Sequence, residues 1–117
     1  MLNYTESDWK LFKSKISGWQ EAYMDKLVAE YISLLTGPEN SSEKLYKLEQ
    51  RIKENRNNPG ISVDMRRSML PENLVSLVAN DVITLSDLDG FSTKLKETVE
   101  HIEIPLKQIT SARTLIF

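Results

Sequence analysis

Acid–base or metal chemistry needs titratable side chains gathered together, and in this chain they are sparse. His101 is the only histidine, preceded by Glu97 and Glu100. Glu97 and His101 share a helical face at four-residue spacing, where such pairs ordinarily face water and gain little from each other. A serine nucleophile needs a base held beside it in a pocket, and a single histidine on a charged face offers poor prospects for one. The absence of cysteine excludes thiolate nucleophiles, zinc–thiolate sites and disulfides. Asp81, Asp87 and Asp89 miss the calcium-loop spacing, and no ligand glutamate follows at its proper place. The four glycines lie far apart and build no phosphate-cradling loop. No catalytic residue, metal or cofactor is expected.

Binding chemistry is better represented. Residues 41–67 contain seven Lys/Arg against four acids, whereas residues 71–103 contain seven acids against two lysines. Lys44, Lys47 and Arg51 fall on one face of a helix, and Arg66-Arg67 follow the next loop. Together they are the candidate partner-binding residues, because such a stripe can track a phosphate backbone and release its counterions. Glu43, Glu49 and Glu54 interleave the stripe, which equally describes a salt-bridged, solvated face. Arg66 and Arg67 are the sharper candidates. Read as early helix residues they oppose the helix dipole, Asp64 pairs ideally with neither, and arginine's planar fork suits a partner's carboxylate or phosphate. Trp9 joins them, as an aromatic residue near the chain's start where shielding is least complete.

These residues must be positioned by helices. Trp9, Phe12, Ile16, Trp19, Tyr23, Leu27, Tyr31 and Leu34 recur every three or four residues, the stripe of a long amphipathic helix. Thr5 or Ser7 caps its start, and Gly37-Pro38 ends it through a left-handed stop. Gly18 lies mid-stripe, so a kink or short break is expected near Ser17-Gly18. The stripe reads as core packing or as a binding face. A second row, Met24, Val28, Ile32 and Leu35, widens it, which predicts deeper burial in the second half.

Asn40 with Glu43 has capping-box spacing and opens a helix whose narrow apolar face is Leu45, Leu48 and Ile52. Asn57-Asn58-Pro59-Gly60 is a loop. Ser62 then caps a helix through Val63, Met65, Met69 and Leu70, which Pro71 kinks or splits. Leu74, Leu77 and Val78 continue the pattern to Asn80. Thr84 caps a short turn of helix closed by Gly90, and Ser92 caps a last helix carrying Leu95, Val99 and Ile102, stopped by Pro105. Leu74–Asn80 with Thr84–Leu88 has the outline of a helix-turn-helix, but its second element presents Asp87 and Asp89 where a DNA reader offers positive or amide groups.

The expected architecture is all-α: a compact bundle of about five helical segments with a long N-terminal helix. Residues 1–104 form the helical domain, and residues 105–117 are a tail whose apolar residues follow no helical period. At 117 residues the chain suits one domain. Its 40% hydrophobic content is enough for a core, and no apolar run approaches the ~20 residues of a membrane span. The opening MLNYTESDWK has neither a basic nor an apolar signal region, so no secretory signal is expected. Together with the missing disulfides this suggests a cytoplasmic protein. A net charge of −2 and a pI near 5.4 do not suggest a dedicated nucleic-acid binder.

Several phrases carry a resemblance. Glu6-Ser7-Asp8-Trp9-Lys10-Leu11-Phe12, Gly18-Trp19-Gln20-Glu21-Ala22-Tyr23-Met24 and Asp64-Met65-Arg66-Arg67-Ser68 resemble a family of small Firmicutes proteins often encoded near mobile elements. Ile83-Thr84 with Asp87-Leu88, and Phe91-Ser92 with Leu95, extend the likeness over roughly residues 5–100. The chain departs from the family pattern at Ser17, where proline is expected before the glycine, at Pro71, and after Ile104. Some members carry a "multidrug transporter" label, which the absence of a membrane span contradicts here. The resemblance implies no catalytic residues. It suggests an accessory protein of mobile DNA, a class that includes inhibitors of host defence such as anti-CRISPR proteins.

The functional expectation is therefore a non-enzymatic module that binds another protein, as a regulator or inhibitor of a nucleic-acid machine. The alternatives are a weak RNA or DNA binder using the basic residues, and a helical homodimer whose apolar tail completes the partner's core.

Overall fold

The computed structural model describes residues 4–101, and they are all-helical. α1 spans Glu6–Leu35, thirty residues and about 45 Å at 1.5 Å per residue. Its start is a reciprocal capping box: the Asp8 amide donates to Thr5 Oγ1 at 3.1 Å, and the Thr5 amide donates to Asp8 Oδ2 at 2.9 Å. α2 spans Ser41–Asn55, with Asn40 Oδ1 accepting from the Glu43 amide at 2.9 Å. A 3₁₀ turn, Arg67–Met69, leads into α3, Leu70–Ala79, and a second 3₁₀ turn covers Leu85–Leu88. A last helix, α4, occupies residues 93–101. Ile102, Pro105 and the 105–117 tail lie outside the described residues.

One core holds the first half of α1 against everything after residue 62. Trp9, Phe12 and Ile16 of α1 pack with Leu70, Leu74, Leu77 and Val78 of α3, Ile83, Leu88 and Phe91 from the connecting turns, and Leu95 and Val99 of α4. An aromatic chain runs through it, Trp9 to Phe12 to Trp19 to Phe91, with ring centroids 6.1, 6.3 and 6.4 Å apart. This head occupies one end of α1. The second half of α1 and α2 form a helical hairpin, the arm, and the longest dimension of the molecule is 54 Å.

Sequence and structure differ in five places, each with a physical reason. α1 runs unbroken through Ser17-Gly18, because Gly18 faces open space and is under no packing demand to bend. α1 stops without a left-handed glycine; Gly90, at φ +96°, is the glycine that adopts that conformation. The segment after Ser62 is not helix. Asp64 Oδ1 accepts from the Arg66 amide at 3.0 Å, a local turn that competes with helix, and buried Asn73 donates to the Asp64 carbonyl at 2.7 Å. Pro71 neither kinks nor splits a helix; it sits in the first turn of α3, where the missing N–H costs nothing. Finally, the second half of α1 is the less buried half: Val28, Ile32 and Leu35 are exposed, and in that half only Leu27 is buried.

Candidate functional site

The partner-binding candidates divide into two groups that the fold holds far apart. Arg67 lies at the head, where its Nη2 donates to Glu6 Oε1 at 3.0 Å. Arg51 lies on the arm, lining a cleft with Tyr23, Lys26, Glu30, Glu54 and Asp81. Glu6 and Glu30 are twenty-four residues apart on α1, which is about 36 Å. Lys44, Lys47, Arg51, Arg66 and Arg67 therefore make no single basic patch. Lys47 pairs with Glu39 at 3.8 Å, and Arg51 sits in a cleft of mixed sign.

At the head, extended backbone lets Arg66 fold its fork back onto Asp64. Nε donates to both carboxylate oxygens, at 3.0 and 2.8 Å, and Nη2 donates to Oδ2 at 2.5 Å. The pair is exposed, the Asp64 carboxyl being held below its ordinary range by hydrogen bonds from Arg66. The expectation that Asp64 pairs ideally with neither arginine is thus overturned, since it rested on a helix. Trp9 is overturned as an exposed aromatic as well: it is 7% exposed. Lys13 Nζ lies 5.5 Å from its ring centroid and Arg67 Cζ lies 5.9 Å from it. Arg67 thereby joins Glu6 to the core's edge and roofs the indole. His101, Glu97 and Glu100 are exposed, and among the described residues no group of three His, Asp or Glu is placed to hold a metal.

The arm carries a different surface. Three long-range hydrogen bonds fix α2 and its following loop on α1: Asn55 Nδ2 to Tyr31 Oη at 2.8 Å, Asn58 Nδ2 to Tyr23 Oη at 3.0 Å, and Gln20 Nε2 to the Pro59 carbonyl at 3.0 Å. Burial pushes the Tyr23 hydroxyl up from its ordinary range, against the hydrogen bond from Asn58, so it stays a neutral acceptor. Gly60 is required there, because a Cβ would fall inside the Tyr23 ring.

Polar anchors thus hold the hairpin while its apolar residues stay open. An apolar groove of about 360 Å³ runs between the helices, lined by Met24, Leu27, Val28, Tyr31, Ile52 and Ile61 among others. Val28 is 54%, Ile32 57%, Leu45 64% and Ile52 45% exposed. At 100° per residue, Val28, Ile32 and Leu35 lie within about 60° on α1, and Leu45 and Ile52 share a face of α2 at seven-residue spacing. The opposite side of the arm is the polar cleft of Lys26, Glu30, Arg51 and Glu54.

The residues of this face were visible in the sequence as the second apolar row and the narrow face of α2. Their exposure was not, because a wide stripe reads as burial when the number of covering helices is unknown. No helix among the described residues is long and apolar enough to cross a membrane. Compared with family models, curated proteins and solved structures, the chain matches none.

Proposed function

We propose that this chain is a non-enzymatic protein-interaction module whose docking element is the apolar face of the helical arm. The observation that carries the reading is the row Val28, Ile32, Leu35, Leu45 and Ile52, each 41–64% exposed, on a hairpin whose geometry polar anchors already fix. Contiguous exposed apolar surface of this kind marks interaction sites. A face held in shape before binding loses little freedom when it docks. The likeness to mobile-element proteins adds the biological direction: a cytoplasmic accessory protein that regulates or inhibits a nucleic-acid machine through protein contact, in the manner of anti-CRISPR proteins. Direct contact with nucleic acid has less support, because the basic residues are dispersed, and Lys47, Arg66 and Arg67 are paired with carboxylates.

The test is affinity capture from the native cell with three forms of the full chain. Wild type and Arg66→Glu/Arg67→Glu should retain the same protein, and Val28→Glu/Ile32→Glu should lose it. Retention that survives the arm substitutions but fails with the arginine reversals would overturn the reading. So would salt-dependent retention on polynucleotide that the arginine reversals abolish.

A further inference from the structure

We infer that the occupant of the arm's apolar face is the same face of a second copy of this chain, with α1 of one protomer lying over α2 of its partner. The inference rests on the docking reading above and names the partner for that site.

The arm is a two-helix layer with one apolar and one polar side. Such a layer is half of a four-helix bundle and is completed by a second layer of matching length and pattern. Charge then selects the partner. Residues 21–35 of α1 carry Glu21, Asp25 and Glu30 against Lys26, a net charge of 1 − 3 = −2. Residues 41–56 carry Lys44, Lys47, Arg51, Lys53 and Arg56 against Glu43, Glu49 and Glu54, a net charge of 5 − 3 = +2. Lys26 with Glu30, and Arg51 with Glu54, line the polar cleft on the other side and cancel, so Glu21 and Asp25 leave α1 acidic while the remaining charges leave α2 basic. A two-fold pairing that sets α1 over the partner's α2 brings opposite charge together twice, as an isologous interface requires.

The rim of the face repeats this arrangement. Glu21 and Asp25, both exposed, precede Val28 and Ile32 by seven residues and so lie within about 20° of their rows. Arg56 lines the groove from the α2 side. An anionic membrane surface would favour one sign around the face, whereas the two helices of the arm sum to zero.

Area and access agree. The five residues of the face, each 41–64% exposed, give a patch at the scale of the largest that a lone monomer leaves open, the apolar centre of a standard interface of about 800 Å² per partner. The head does not obstruct it. The head packs on the row of Trp9, Phe12 and Ile16, which is rotated from the row of Val28, Ile32 and Leu35 by roughly a third of a turn around α1.

The experiment is sedimentation equilibrium of the full chain from about 1 to 500 µM, a range that brackets a micromolar dissociation constant. The expected mass is twice the 13.5 kDa of one chain. Ile32→Glu/Leu45→Glu should weaken self-association at least tenfold while the far-ultraviolet dichroism stays that of wild type, both positions being exposed, and the melting curves should coincide at concentrations below the dissociation constant. Because the chain has no cysteine, single-cysteine variants offer an independent readout. An oxidised mixture of Ile32→Cys and Leu45→Cys chains should yield mainly the mixed disulfide.

A wild-type monomer at 500 µM, or a dimer indifferent to both substitutions, overturns the inference. Where a monomer still loses its captured cellular protein on arm substitution, only the second copy falls and the docking reading stands. Where captured proteins ignore the arm and the wild type stays monomeric, both fall.

Discussion

Asp8 joins two helix starts through one carboxylate, and replacing it tests whether the head is held by polar geometry as well as by its core. The side chain is 2% exposed. It accepts from the Thr5 amide at 2.9 Å, from the Ser92 amide at 2.7 Å and from the Ser92 hydroxyl at 2.6 Å. Ser92 Oγ in turn accepts from the Leu95 amide at 3.3 Å, capping α4. In Asp8→Asn the amide keeps one acceptor oxygen and turns an NH₂ toward groups that are themselves donors. Each hydrogen bond to a buried charge contributes about 1.5–3 kcal/mol, and a lost cap costs about 1 kcal/mol. With partial relaxation the expected loss is about 2–4 kcal/mol, read as a fall in midpoint by roughly 10–20 °C.

The pH dependence supplies a second reading of the same residue. Burial alone would raise the Asp8 pKa, but the hydrogen bonds from Ser92 and Thr5 overcome it, and the carboxyl is lowered from its ordinary value. The unfolded chain binds the proton more readily than the folded one. This stability is therefore complete above the ordinary aspartate value, ~3.9, and drains away as pH falls from there through the folded-state pKa. Asp8→Asn should have a flatter acid limb in urea titrations between about pH 5 and pH 2. A variant within about 0.5 kcal/mol of wild type at neutral pH, the scatter of an ordinary surface substitution, with an unchanged acid limb, would refute the reasoning.

Two further substitutions separate head from arm. Gly60→Ala drives a methyl group into the Tyr23 ring and breaks the Asn58 anchor; a cost of about 1–3 kcal/mol is expected. Hydrogen exchange should quicken in α2 while α3 keeps its protection, and uniform quickening would show that arm and head do not open separately. Phe12→Ala, at a fully buried site, should cost about 3–5 kcal/mol by urea unfolding. Ile32→Ser on the open face, measured at concentrations where the chain is monomeric, should change stability by no more than about 0.5 kcal/mol, and a larger loss there would mean that the monomer itself covers the row.

Much of the fold was legible because its signals are local. Period-three-and-four apolar residues marked α1, and short oxygen-bearing side chains marked most helix starts: Thr5, Asn40, Thr84 and Ser92 each stand where the structure places a cap or helix entry. Leu74, Leu77 and Val78, read as a continuing apolar pattern, and Leu95 and Val99 of the last helix are all fully buried. The failure after Ser62 has a local cause of another kind. Val63, Met65 and Met69 invite a helical reading, but the Asp64 side chain offers the Arg66 amide a competing partner, and Asn73 takes up the Asp64 carbonyl from a distance. Nothing in the spacing of apolar residues reports that competition.

The exposed apolar face of the arm was illegible for a geometric reason. Around α1, the row of Trp9, Phe12, Ile16, Tyr23 and Leu27 and the row of Met24, Val28, Ile32 and Leu35 are rotated from each other by roughly a quarter to a third of a turn. A single sequence shows both as apolar and cannot count the layers available to cover them. The head and α2 both pack against the first row, and among the described residues neither covers Val28, Ile32 and Leu35. Arg67 illustrates the converse. A cation that looked unexplained by folding is accounted for by Glu6 and by the face of Trp9, whose separation of about sixty positions along the chain hides them from any local reading. The proposed docking site therefore lies not at the conspicuous arginines but on an apolar row that first looked like core, and a second α1–α2 arm has the pattern and the charge proposed to cover it.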